Sequence, residues 1–265
     1  MSRSILLQLW RSLQSRKTFV PKIAIVIPTY NHLGYALKAV ETAIANTPDS
    51  LVMVVDDASP EWREDIWQRF PRHRLILHRF PKNDRNLTRS WNWGLLKARE
   101  LGIPLTVVTN SDVMFPAGWS RTLSKTLLEG RADLVGPVTN APGHKPKQQI
   151  TRIMKGYKIT DDLKYLNSVQ KFVEGKYPQE LWVTTVNGFC MAAKTDTWFS
   201  GAFNSECVFN PKHKMTRNED ELEGRWLKMG RTIAICPSSF VWHYRSVTRR
   251  PNGKDRGAFR LKKDK

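Results

Sequence analysis

An α/β fold built on a doubly wound parallel sheet is what this sequence predicts, and three observations carry it. Short apolar runs rich in Val and Ile recur at 23–27, 51–55, 75–77 and within the stretch 105–113. Between them lie segments whose apolar residues repeat at helical spacing. Most of the runs stop at polar or turn-forming residues, as expected where the carboxyl ends of parallel strands face a ligand crevice.

The first strand, 23–27, is apolar throughout and stops at Pro28-Thr29-Tyr30-Asn31. Tyr35, Leu37, Val40, Ala43 and Ile44 then mark a helix. The second strand, 51–55, ends in Asp56-Asp57-Ala58-Ser59, and Trp62, Ile66, Trp67 and Phe70 recur at helical spacing before strand 75–77. Trp91, Leu95, Leu96 and Leu101 mark another helix. Gly102 and Pro104 break it, and the next run, Leu105, Val107 and Val108, ends in Asn110-Ser111-Asp112. A further strand is expected at 134–138, then a lysine-rich insertion over 144–180. The runs 182–186 and 189–193 are expected to pair or to continue as strand. Leu222, Trp226, Leu227 and Met229 form a helix pattern behind Asn218-Glu219-Asp220-Glu221.

At 265 residues, 40% of them hydrophobic and ten of them tryptophan, the chain has material for a large core. Cys190, Cys207 and Cys236 are scattered without CxxC spacing, so neither a zinc site nor a disulfide framework is expected, and a reducing compartment is. The formal net charge is +19 and is concentrated at the ends. Residues 1–22 carry five Lys or Arg and no acid, while 245–265 carry nine bases and two acids. The domain therefore divides into a basic amphipathic segment (1–22), a body (23–244) and a basic tail (245–265). Basic arms of this kind suit an anionic partner such as a membrane surface, a nucleic acid or another polyanionic acceptor. In the N-terminal arm, Ile5, Leu6, Leu9, Trp10 and Leu13 share one helical face, which can lie on a membrane surface or pack on the body. The run is too short to span a bilayer.

The strand ends carry the chemistry. No GxGxxG or GxxxxGK[ST] occurs, so neither a Rossmann dehydrogenase nor a P-loop NTPase is supported. Tyr30 can stack on a base and Asp57 can accept from a ring N–H. Asp112, beside the neutral oxygen of Asn110, suits a hard divalent cation on a diphosphate. In this ordered set the chain resembles the family 2 glycosyltransferases. The carriers are Pro28-Thr29-Tyr30-Asn31, Val55-Asp56-Asp57-Ala58-Ser59, the segment 86–94, Asn110-Ser111-Asp112, Val186-Asn187-Gly188-Phe189, Asn218-Glu219-Asp220-Glu221-Leu222 with Arg225, and His243. The resemblance covers about 23–243. It departs at Asn110, where the family has an aspartate, and at Asn86, where it usually has glycine.

The resemblance implies a GT-A-type, Rossmann-like single domain and a metal-dependent, inverting transfer from a nucleotide-sugar donor. The implied donor-binding residues are Pro28, Tyr30, Asp57, Arg89, Asn110 and Ser111. Asp112, with Asn110 and His243, would hold Mn2+ or Mg2+. Asp220 is the expected general base, with Glu219 its nearest rival. The implied acceptor is a lipid-linked saccharide or surface polysaccharide on the cytoplasmic membrane face. Hydroxylated bases of DNA are the alternative acceptor. A non-catalytic nucleic-acid binder on the same scaffold is the alternative of another class, and Asp57, Asp112 and Asp220 weigh against it.

Overall fold

The computed structural model describes residues 19–154, 160–177 and 179–245. The N-terminal amphipathic pattern and the basic tail beyond Arg245 lie outside the described residues. Among those described, no helix is long and apolar enough to cross a membrane.

The chain begins with β1 (Ile23–Thr29), every residue of which is buried. It is followed by α1 (Leu33–Asn46), β2 (Ser50–Asp56) and β3 (Leu75–Arg79). Next come α2 (Leu87–Glu100), β4 (Leu105–Thr109), the short β5 (Val113–Met114), α3 (Trp119–Leu128) and β6 (Leu134–Val138). The second half holds α4 (Leu163–Lys176), β7 (Leu181–Val183), β8 (Cys190–Lys194) and α5 (Thr195–Ser200). It closes with α6 (Asn218–Lys228), β9 (Ile233–Phe240) and β10 (Trp242–His243).

Eight strands form one sheet in the order β3-β2-β1-β4-β8-β6-β9-β7. β1 is parallel to both β2 and β4, and β2 to β3. This is the doubly wound half that the alternation of strand and helix patterns requires. Apolar clusters fill both faces of the sheet, one including Val26, Trp91 and Trp226, the other Ile25, Trp67 and Trp119. Gly94 lets α2 settle on β1: a Cβ there would lie 2.3 Å from Val26 Cγ1.

Three expectations are corrected. The aromatic run 62–70 forms no α-helix but a single 3-10 turn, Asp65–Trp67. Pro60 and Pro71 bracket it, and Pro71 disfavours helical backbone at Phe70. The ring of Trp62 stacks on Trp67 (centroids 5.5 Å apart), which with Phe70 is buried, so apolar burial sets this spacing without a helix. The sheet is mixed rather than wholly parallel, because β8 runs antiparallel between β4 and β6. The runs 182–186 and 189–193 neither pair nor continue: β7 lines the far edge against β9, while β8 sits three places nearer β1. Asn187 and Gly188 fall in the turn between them, where polar and flexible residues end a strand.

Part of the lysine-rich insertion packs on the sheet as α4. In α4, Leu166, Val169, Gln170 and Val173 are buried, and Gln170 bonds the backbone of Ser238 and Phe240. Asp162 caps the helix by accepting from Tyr165 N at 2.8 Å.

Gly94→Ala should lower stability. Helix propensity favours alanine by about 1 kcal/mol, but overpacking against a β-branched side chain costs about 1–3 kcal/mol. Urea unfolding should show a reduced midpoint with an unchanged slope; an increased midpoint would mean that α2 does not rest on Val26.

Candidate active site

Because β2, β1 and β4 are neighbours and parallel, their carboxyl ends open on one edge. Thr29 and Asn31 end β1 there with Oγ1 and Oδ1 buried and without hydrogen-bond partners among the described residues. Buried polar atoms left unpaired are rare, and these two lie together at the end of one strand. The turns leaving β1 and β2 hold Asn31, His32 and Ala58 at positive φ (55°, 50° and 59°), backbone that non-glycine residues adopt at a cost. Ser59 ties the two turns together, accepting from Asn31 N at 2.8 Å and donating to Asp56. Pro28 lies inside β1 opposite Val55, and Tyr30 follows half-buried at its mouth.

Asp57 is 4% exposed and organises the next loop. Its Oδ2 accepts from Asn83 Nδ2 (2.9 Å) and Asn86 N (3.2 Å), and its Oδ1 accepts from Arg89. Asp84 N also approaches Oδ2 (3.4 Å), so Oδ2 is filled and Oδ1, met by Arg89 alone, is the oxygen with room for a further donor. Arg89 also bonds the Lys82 carbonyl (2.9 Å) and lies over the Phe80 ring, 3.9 Å from its centroid. Its guanidinium is thus engaged on the Asp57 side of the crevice.

Asn110, Ser111 and Asp112 follow β4, and Ser111 and Asp112 are buried. The short ladder of β5 with β10 sets His243 opposite Val113 and so beside Asp112. Tyr244 N donates to the Asp112 carbonyl at 2.9 Å. Asn140 clamps the histidine backbone from the other side, donating to His243 O (3.0 Å) and accepting from His243 N (2.9 Å). The imidazole, 5% exposed, stacks on Phe189. Its Nδ1 lies 3.0 Å from the Ala141 carbonyl, which can only accept, so Nδ1 carries the proton. Nε2 then faces Asp112 Oδ1 at 3.3 Å and the Asn110 amide at 3.4 Å. The structure therefore brings all three expected metal ligands together. A ring nitrogen turned toward a carboxylate can share a proton or a cation with it. The Asn110 amide can present its oxygen by rotation, so the donor set fits a divalent cation. Among the described residues no three His, Cys, Asp or Glu side chains converge; the third donor here is an amide. A cavity of about 320 Å³ lies alongside, lined by His32, Gly34, Tyr35, Lys38, Asp161 and Tyr244.

The two candidate bases sit side by side at the start of α6 in different surroundings. Asp220 is exposed and ion-paired to Lys145 at 2.7 Å. Glu219 is half-buried against Gly188, where a Cβ would lie 3.1 Å from Trp91 and 3.2 Å from the Glu219 carboxyl carbon. Burial raises the Glu219 carboxyl above its ordinary range, with the Asp220 charge adding to the rise, while Lys145 and the Gly188 backbone oppose it. Arg225 pairs with Glu221 and bonds the Val208 carbonyl at 2.9 Å, so it anchors α6.

Residue types alone gave no sign of Lys145, Thr185, Glu223 or Asn140. Glu223, 2% exposed, accepts from Val186 N (2.7 Å) and from the Thr185 hydroxyl. Burial pushes its carboxyl up to about 8. A helical carboxylate on the apolar side of an amphipathic pattern, next to Leu222, was the one available hint.

Residues 24–192 match the family described as Glycosyl transferase family 2. No curated protein matches the chain in sequence. Among solved structures, that of GalNAc-T7 with UDP, GalNAc and Mn2+ is similar at TM-score 0.63 and 13% identity, covering 86% of this chain and 44% of that one. Staphylococcus aureus TarS 1–349 is similar at TM-score 0.56 and 12% identity (85% of this chain, 61% of that one). The same protein in complex with UDP gives 0.56 and 14% (83% and 60%). At such identities the likeness is one of fold, and the chain spans less than two thirds of each of these proteins.

Glu223 gives stability a pH signature. Its carboxyl is raised in the folded protein, so between the ordinary value of 4.5 and about 8 the folded state binds more protons than the unfolded one. Its contribution is fully present below that window and is lost as pH rises through it. Thermal midpoints of wild type and Glu223→Gln from about pH 5 to pH 8.5 should diverge, the variant falling less steeply. Parallel curves would mean that Glu223 is not the titrating group.

Proposed function

The chain belongs to glycosyl transferase family 2, and from that premise we propose that it transfers a sugar with inversion from a nucleotide-sugar donor to an acceptor hydroxyl. The observation that carries this reading is the convergence of Asp112, Asn110 and His243 at the end of β4, the strand that pairs with β1. The nucleobase is assigned to the Tyr30 ring and the remaining acceptor position of Asp57, with Arg89 holding that carboxylate in place. Pro28 and Ser111 line the approach to the diphosphate. A divalent cation held by Asp112, His243 and Asn110 would neutralise the leaving diphosphate. Asp112 supplies the negative charge, and the bond from Nδ1 to Ala141 keeps Nε2 available.

Glu219 is proposed as the general base. Inverting transfer needs one carboxylate to take the acceptor proton as its oxygen attacks the anomeric carbon and the bond to the diphosphate breaks. Efficient bases have pKa values near the working pH, and burial moves Glu219 in that direction. Asp220, ranked first on sequence, is occupied by Lys145 on the exposed side. The acceptor is proposed as a lipid-linked or polymeric saccharide. The net charge of +19 favours one that is anionic or presented at an anionic surface, and DNA shares that attraction.

A panel of nucleotide sugars should raise the thermal midpoint with Mn2+ present and much less in chelator. Asp112→Ala should remove the metal-dependent part while the unliganded protein melts normally. Asp57→Ala should weaken donor binding more than it slows turnover of bound donor. A wild type that none of the donors stabilises would overturn the reading.

Glu219→Gln should cut transfer by ~10²–10⁴ with donor affinity retained. Asp220→Asn should be much milder. If the order is reversed in single-turnover rates, Asp220 is the base.

A further inference from the structure

Lys145 stands where the reading above gives no role. It leaves the turn that follows β6, and its side chain is only 18% exposed although it carries an ammonium. Three acids lie around it, one in direct contact and two at a remove. Asp220 Oδ1 is 2.7 Å from Nζ. Nζ also donates to Thr185 Oγ1, and that hydroxyl in turn donates to Glu223. Glu219, on the same turn of α6, feels the same cation. One amine, held from two sides, is thus the counter-charge for a cluster of three acids, one of which is the proposed base.

The loop that carries Lys145 reaches the other half of the site. Asn140 and Ala141 hold His243, Pro142 O accepts from Asn187 Nδ2 at 3.1 Å, and Gln148 Oε1 accepts from Asn187 N at 2.7 Å. Residues 140–148 therefore fix the 186–188 turn against which Glu219 rests. The placement of Lys145 is built rather than incidental.

We propose that Lys145 is the positioning residue of the acceptor side: fixed between Asp220 and Thr185, it sets the charge around Glu219 and so the pH at which transfer begins. This rests on Glu219 being the base. The groups facing Glu219 are Asp220 and Glu223 from its own helix, Lys145 from the 140–149 loop, and the uncharged Gly188 backbone and Trp91 ring. Lys145 is the cation in that set. It lowers the Glu219 carboxyl while Asp220 raises it. Without the ammonium no cation opposes burial and the Asp220 charge, and only backbone hydrogen bonds at Glu219 and Gly188 still hold the carboxyl down. The base then stays protonated to higher pH, and the acceptor proton has nowhere to go until the medium is more alkaline.

The test uses the full chain and the release of UDP from UDP-glucose, UDP-galactose, UDP-GlcNAc and UDP-GalNAc, with water as acceptor. In that reaction water oxygen bonds the anomeric carbon, the bond to the diphosphate breaks with its electron pair on UDP, and the water proton passes to Glu219. Rates are followed from about pH 5 to pH 9 for wild type, Lys145→Met, Lys145→Arg and Thr185→Val. Lys145→Met should move the acid limb upward by about one unit, the size expected for loss of a nearby opposite charge. Lys145→Arg should keep the wild-type limb, and Thr185→Val should shift it the same way by less. UDP affinity, measured by calorimetry with Mn2+, should be unchanged in all three. A Lys145→Met rate that falls equally at every pH, or an unshifted limb, would overturn the inference and leave the enzyme reading standing. A wild type that neither binds UDP nor releases it would overturn that reading itself. If Lys145→Met does not fold, Thr185→Val decides: its limb must shift upward, and an unshifted limb overturns the inference.

Discussion

Everything in this molecule follows from the burial of β1 on both faces. Seven consecutive buried residues, flanked by β2 and β4, leave little place for an exposed polar group until the strand ends. The cost of burying unpaired polar groups pushes functional side chains to the carboxyl edge, and parallel pairing puts three such edges together. Two buried atoms at the end of β1, on Thr29 and Asn31, stay unpaired among the described residues. Gly94 belongs to the same constraint, since α2 can cover β1 only where no Cβ intervenes.

That constraint decides what could be read in the sequence. The parallel half was legible because an apolar run ending in polar residues is the direct trace of a doubly covered strand. The mixed half, where β8 and β7 reverse against the parallel pair β6 and β9, was not. Cys190–Lys194 looks like any short apolar strand, and only packing decides that it inserts between β4 and β6. The segment 62–70 misled for a related reason. Its aromatics do pack, Trp62 on Trp67, but spacing records only that they are buried and not the backbone that buries them.

The site divides in the same way. Asp57 and Asp112 sit directly after strands, so local sequence points to them. His243 lies 131 residues beyond Asp112 in the chain and meets it through the two-residue ladder of β5 with β10. Sequence offers the histidine but not the ladder, so only the family pattern could suggest the pairing. Lys145 and Thr185 come from irregular segments with no periodicity to fix where their side chains point. Even within one helical turn, residue type said little: Glu219 and Asp220 differ in the burial that Gly188 and Lys145 impose, which no spacing rule records.

The two halves of the crevice also use charge in opposite ways. On the side proposed to take the nucleotide sugar each acid meets a fixed partner: Asp57 takes four hydrogen-bond donors from the loop and helix that follow β3, and Asp112 faces an imidazole whose proton is pinned on the far nitrogen. Such sites are preorganised, and a phosphate-bearing ligand would meet groups already oriented. On the acceptor side three carboxylates share one ammonium, and burial lifts two of them, Glu219 and Glu223. A cluster with more acid than base changes its protonation easily, which suits a place where a proton must be received. The segment 140–148 touches both halves, holding His243 at one end and the turn beneath Glu219 at the other. A displacement of that segment would disturb both halves at once, so its backbone contacts, and not only its side chains, belong to the working part of the fold.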